Sequence, residues 1–168
     1  DMLPTGSVSE DIYWQRESDA VTAVNAAYGE LDDQTMIKQL DAVTDIGFRA
    51  ASGPGTLHDV GAGNIDPSNS AIESIWNRYY RGIRKANDVI ANIDQIEVGN
   101  QDVLNRVEAE ARFLRAYFYT QLSSLWGGVP LITEPINIDE RVGRSDKQQI
   151  VDFVVSELDN IISNNSLP

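Results

Sequence analysis

Residues 70–96 read SAIESIWNRYYRGIRKANDVIANIDQI, and this stretch decides the fold. Its apolar residues Ile72, Ile75, Trp76, Tyr79, Ile83, Ala86, Ile90 and Ile93 recur at intervals of three and four. That spacing lines one stripe of an α-helix and fits neither face of a strand. Ser70 and Glu73 have capping-box spacing at the start. A second rod follows closely. Residues 101–126 carry Val103, Val107, Ala111, Leu114, Phe118, Leu122 and Leu125, then meet Gly127-Gly128 with Pro130 just beyond. Glycine followed by proline is helix-stopping chemistry. Only a few residues around Gly99-Asn100 separate the rods, which forces an antiparallel αα-hairpin.

Outward from this hairpin the pattern continues. Residues 18–31 put Val21, Val24, Ala27, Tyr28 and Leu31 on one stripe, with Ser18 as N-cap. Residues 145–163 start with a second capping-box pair, Ser145 and Gln148, and direct Ile150, Phe153, Val154, Leu158, Ile161 and Ile162 inward. A weaker helical signal covers Met36, Ile37, Leu40 and Val43. Residues 47–69 hold five glycines, two prolines and the only histidine, and read as a long irregular loop of the kind that is usually functional or disordered. Residues 127–144 are a second irregular stretch, locally extended over 129–132, and no set of strands could build a sheet. The fold class is all-α: stacked antiparallel helical hairpins, with the long irregular loop before the second long helix. Ala109 and Phe113 have the A-x3-F spacing of a tetratricopeptide second helix.

A chain of 168 residues makes about one domain and needs no covalent staples. It contains no cysteine, which excludes disulfides, thiolate metal sites and cysteine nucleophiles. A net charge of −13 argues against a nucleic-acid partner. The acidity is uneven: residues 1–77 hold 3 basic and 13 acidic side chains, against 10 and 13 in the remainder. No apolar run approaches the roughly 20 residues that span a bilayer. Asp1 opens without the basic and apolar regions of a signal peptide, so the sequence is either intracellular or begins after a removed leader.

Chemistry-bearing patterns are few. His58, Asp59, Asn64 and Asp66 lack the alternating ligands and closing glutamate of a calcium loop, and no nucleotide, zinc-protease or serine-hydrolase motif is present. Glu108 and Glu110 point to nearly opposite sides of their helix and cannot flank one bond. Glu108 instead precedes Arg112 by four and suits an ion pair. The aromatic clusters Trp76, Tyr79, Tyr80 and Phe113, Tyr117, Phe118, Tyr119 read as packing between the two rods. Trp126, at a helix end beside two glycines, is expected to be partly exposed. Asn87 interrupts an apolar stripe; a buried amide must be hydrogen-bonded, most simply to the backbone of a neighbouring loop. Arg115 is expected to do similar work.

These residues also form a family pattern. Trp76-x3-Tyr80-x2-Ile83-x2-Ala86-Asn87 is followed by Glu110-Ala111-x-Phe113-Leu114-Arg115-Ala116-Tyr117 and then Trp126-Gly127-Gly128-Val129-Pro130-Leu131. Together they resemble the N-terminal half of the SusD/RagB family of outer-membrane nutrient-binding lipoproteins. Leu3-Pro4-Thr5-Gly6, Tyr13-Trp14, Ala23-Val24-x-Ala26-Ala27-Tyr28 and Leu167-Pro168 fit as well, so the resemblance covers essentially the whole chain. It implies a non-catalytic protein, without cofactor or metal, lipid-anchored at the cell surface of a Gram-negative bacterium. Such a protein binds an oligosaccharide or other nutrient and caps a SusC-like TonB-dependent transporter. It further implies that residues 1–168 are the N-terminal, tetratricopeptide-like part of a longer chain whose lipidated cysteine lies upstream. By resemblance, ligand contacts fall in the loop over 45–69, at Asp45, Arg49, His58 and Asn64. That loop contains no tryptophan or tyrosine, so starch-like stacking is not expected there. Two other readings remain open from the residues themselves: a helical-hairpin scaffold for protein–protein interaction, and a small glycosidase using acids of the loop.

Overall fold

The computed structural model describes residues 13–45, 47, 56–64, 66, 68–137 and 139–164. Arg49, the Leu3-Pro4-Thr5-Gly6 match and the Leu167-Pro168 match lie outside them. The elements are α1 (Glu17–Tyr28), α2 (Gln34–Asp41), the one-turn α3 (His58–Gly61), α4 (Ser70–Asn92) continued by a 3-10 turn (Ile93–Gln95), α5 (Gln101–Trp126) and α6 (Lys147–Ser163). Among the described residues the only β-pairing is two isolated bridges, Arg16 with Val98 and Pro130 with Arg144. The chain is all-α, as its periodicities predict.

Helices α2, α4, α5 and α6 start where a polar side chain takes a free N–H group, and three starts differ from the sequence reading. For α4 the cap is Asn69, not Ser70: its Oδ1 accepts from the N–H of Ala71 at 2.8 Å. Its Nδ2 donates to the Thr56 carbonyl at 3.1 Å, so an amide does two jobs where a serine hydroxyl would manage one. For α6 the reciprocal box is Asp146 with Gln149, one residue beyond Ser145 and Gln148. Ser145 is already engaged, donating its N–H to the Val129 carbonyl at 3.0 Å. Ser18 is not a cap but lies inside α1, and the Asp19 carboxylate accepts the Arg16 N–H at 2.9 Å. The span of α5 agrees with the sequence reading; Asn100 caps its start, and Gly127 ends it at φ 72°, a conformation that favours glycine.

The α4–α5 hairpin is antiparallel: Trp76 meets Trp126, Tyr79 meets Phe118 and Asn87 meets Arg115, pairs that run opposite ways along the two helices. They pack tightly at Gly82, where a Cβ would collide with the Phe118 ring. Mid-helix glycine costs about 1 kcal/mol against alanine, so the contact explains the residue. Helix α1 lies along both, burying Ala20, Val24 and Ala27, and α6 packs on another flank of α5 through Ile150 and Ile161. Tyr79, Tyr119, Phe118, Ile83, Leu114 and Leu122 are fully enclosed.

Phe113 corrects the sequence reading, because it is 45% exposed rather than packed between the rods. Successive helical residues are 100° apart, so Phe113 points about 140° away from Phe118, which faces α4. Phe113 falls in the outward sector of α5 with Arg106, Thr120 and Ser124. Ile162 is likewise 74% exposed; its neighbour Ile161 takes the inward place. Leu125 and Tyr28 lie at helix ends and are exposed as well.

Gly82→Ala should destabilise the chain by about 1 kcal/mol in urea unfolding, since overpacking against a buried ring outweighs the gain in helix propensity. In a Phe118→Leu background the same substitution should become neutral or stabilising. Equal effects in both backgrounds would show that the ring does not set the helix spacing.

Candidate functional site

Four helical side chains hold the extended segment that leaves α5. The Tyr80 hydroxyl donates to the Pro130 carbonyl at 2.9 Å. The Tyr119 hydroxyl donates to the Ile132 carbonyl at 2.9 Å and accepts the Ile132 N–H at 2.7 Å. Asn87 Nδ2 donates to the carbonyls of Ile132 and Glu134, at 3.0 and 3.3 Å. Arg115 Nη1 donates to the Thr133 carbonyl at 2.8 Å and to Asn87 Oδ1 at 2.7 Å. Asn87 thus bonds the backbone of a neighbouring segment, as its interruption of an apolar stripe predicts, and Arg115 does the similar work expected of it. Burial pushes the Tyr119 phenol up to about 12 and raises that of Tyr80 too, so both remain neutral donors.

The partner of Arg115 was not named by the sequence. It is Glu157 of α6, reached from Nε at 3.0 Å and from Nη2 at 2.6 Å. The other Glu157 oxygen takes Arg112 at 3.0 Å, and Arg112 also meets Glu108 at 2.7 Å, the pair that the four-residue spacing predicts. A signal for Glu157 did exist: it stands seven after Ile150 and four before Ile161, a carboxylate within the inward stripe. Arg115 also lies over the Phe153 ring, 5.3 Å from its centroid. Gly128 passes so close to the Ser145 carbonyl that any Cβ would collide with it. Trp76 lies tilted against Tyr80 and meets Trp126 edge-on, at centroid distances of 4.9 and 5.3 Å. Trp126 is half-buried, in line with the partial exposure expected of it.

A second polar cluster, unforeseen in the sequence, ties the end of α1 to α4. Buried Glu30 receives Lys85 at 2.7 Å and Arg81 at 3.2 Å, while Arg78 Nε donates to the Glu30 carbonyl at 3.2 Å. Burial raises the Glu30 carboxyl pKa, but hydrogen bonds from Lys85 and Arg81 outweigh it and leave the group below its usual range. Nearby, the Tyr117 hydroxyl donates to Asp32 at 2.9 Å.

The loop residues singled out as ligand contacts sit on separate elements. Asp45 lies exposed in the bend after α2, His58 opens α3 and is half-buried, and Asn64 lies exposed just beyond Gly63. The loop therefore carries one helical turn that its composition did not disclose. Buried Leu57 anchors it, and Gly61 lies so close to the Ala42 carbonyl that a Cβ there would collide with it. Between α2 and the first turns of α4 is a cleft of about 380 Å³, bordered by Asp33, Gln39, Ser74 and Arg78. No described helix is long and apolar enough to cross a membrane.

Residues 8–164 match the SusD-like family, described as starch-binding and associating with the outer membrane. A curated relative, SusD-like protein P25 of Formosa agariphila, is 28% identical over 92% of this chain and 32% of its own length. The fold is shared with a laminarin-binding SusD-like protein (TM-score 0.76, 23% identity, 90% of this chain and 34% of that one). It is shared also with surface glycan-binding protein A from Bacteroides uniformis (TM-score 0.75, 21% identity, 90% and 35%). The chain spans about a third of the length of the curated relatives it matches.

Arg115→Ala should cost about 3–5 kcal/mol in urea unfolding, because it strands a buried carboxylate. Asn87→Ala should cost about 1–3 kcal/mol, and exposed Lys147→Ala should stay within about 0.5 kcal/mol. Equal midpoints for all three would refute the clamp. For Glu30 the folded pKa lies below the unfolded value near 4.5. Its stabilising contribution is therefore complete above that pH and lost as pH falls through the folded pKa. Thermal melts from neutral pH downward should show a shallower acid limb in Glu30→Gln than in the parent; parallel limbs would contradict the assignment.

Proposed function

Because the chain belongs to the SusD-like family, we propose that it is the N-terminal helical frame of a non-catalytic glycan-binding protein at the outer-membrane surface. In this reading the complete protein is lipid-anchored to the outside of a Gram-negative cell and hands its ligand to a SusC-like TonB-dependent transporter. The observation that carries the reading is the family match over residues 8–164. The geometry supports it: the side chains best placed for chemistry are spent on structure. Arg115, Glu157, Asn87, Tyr80 and Tyr119 hold backbone and one another, which suits a rigid frame that presents loops.

The helical-hairpin scaffold is a second reading with one observation in its favour. Val151, Val155 and Ile162 are 39, 50 and 74% exposed on one outward stripe of α6. A scaffold would bind protein and show no saccharide affinity.

The test is the complete reading frame that contains this segment, expressed with its genomic neighbour. The expected protein is about three times as long, carries a lipidated cysteine near its N-terminus, and copurifies with a SusC-like barrel. It should bind a neutral glycan without releasing reducing ends. A frame that ends at Pro168 with no leader, or steady hydrolysis of the bound glycan, would defeat the proposal.

A further inference from the structure

Between α1 and α4 the chain is tied to the helical frame far more lightly than the frame is tied to itself. Among the described residues from Asp33 to Asn64 only Met36, Ala42 and Leu57 are buried, whereas α4 alone buries eight residues. Helix α2 makes no extensive contact with any other helix, and the cleft of about 380 Å³ holds it off the first turns of α4. Sparse burial of this kind marks segments that open before the rest of a fold does.

Polar ties at both ends hold the segment in place. At its entry Asp33 has two tasks: Oδ1 accepts the Met36 N–H at 2.9 Å and caps α2, while Oδ2 meets Arg78 Nη1 of α4 at 3.0 Å. At its exit Asn69 donates Nδ2 to the Thr56 carbonyl at 3.1 Å. Between these ties α2 and α3 lie against each other, since Gly61 abuts the Ala42 carbonyl too closely for any Cβ. The attachments just before Asp33 are of another kind. Glu30 is gripped by Lys85 and Arg81 with its side chain only 11% exposed, and Tyr117 holds Asp32. The Asp33 side chain is 55% exposed. Salt screens an exposed ion pair and affects a buried one much less. The weak point therefore falls at Asp33, with Glu30 and Asp32 staying on the frame.

We infer that α2 and α3 open from the helical frame as one unit, pivoting beyond Asp32 and latched by the Arg78–Asp33 pair. Asp45, His58 and Asn64 all ride on this unit. Ionic strength thereby sets how much of the time these three keep their docked arrangement. The opening is a property of the chain itself, whatever ligand it takes.

Residue-resolved amide hydrogen exchange of the 168-residue chain, followed by NMR at about 20 mM and about 1 M NaCl, tests this. At low salt the α2 and α3 amides should share one rate, slower than an unprotected chain and at least about tenfold faster than α4 and α5. High salt should speed both about two- to fivefold relative to the α4–α5 hairpin. Asp33→Asn keeps the cap and removes the charge; it should reproduce that acceleration at low salt and abolish the salt response. Arg78→Gln should accelerate both elements further, since the bond to the Glu30 carbonyl goes too. Adding Asp33→Asn to it should then change little, because the pair is already broken. Unprotected α2 amides at low salt would refute the latch, and α2 exchange at the α4–α5 rate would refute a separate unit. Acceleration of α2 without α3, or of α1 together with them, would refute the limits of the unit. A salt response that survives Asp33→Asn would refute the role of the ion pair.

Discussion

One guanidinium organises this molecule. Arg115 is 3% exposed, and a buried charge persists only if its donors are all met. Its Nε and Nη2 go to α6, one bond from Nη1 goes to α4, and another goes to the segment after α5. Four pieces of chain therefore have to arrive together for any one to be satisfied. Replacing such a pair with apolar residues often costs nothing in stability, so its worth here is in fixing registers: sliding α6 by one turn would strand Glu157 and leave two nitrogens unpaired. Close helix approach at Gly82 sets the spacing of the hairpin, and the guanidinium sets its phase.

Much of this was legible in the sequence because the relevant signals are local. The hairpin, the all-α class and the limits of α5 follow from period and from the Gly127-Gly128 stop. Asn87 was readable as the interruption of an apolar stripe, and Arg115 as a residue doing similar work. What could not be read depended on tertiary partners. The caps slid by a residue because Asn69 and Ser145 have second bonds to distant backbone. Phe113 was drawn inward by its aromatic neighbours in sequence, although no described helix covers that side of α5. Glu157 looked like one acid among many in a chain with 26 of them.

The residues expected to contact a ligand were the least legible, for a related reason. Asp45, His58 and Asn64 were chosen by position within a family pattern, and a loop has no period with which to orient a side chain. The structure adds one turn of helix there and places the three on separate elements, while Arg49 lies outside the described residues. Family membership itself was recoverable because it is written in the packed helices, where Trp76, Asn87, Arg115 and Pro130 must coexist. A frame is thus legible through many coupled positions, whereas an exposed loop leaves no comparable pattern to read.

The extended segment beyond α5 has a further consequence. Strand-like chain with open N–H and C=O groups is a template on which other molecules can add. Here Pro130 has no N–H to offer and its carbonyl is taken by Tyr80, both polar groups of Ile132 are consumed, and the Thr133 and Glu134 carbonyls face Arg115 and Asn87. Side chains do the work that a second strand would do in a sheet. Much of the connector's hydrogen-bonding capacity is thereby met within the chain, which leaves less of it open to pairing with a strand of another molecule.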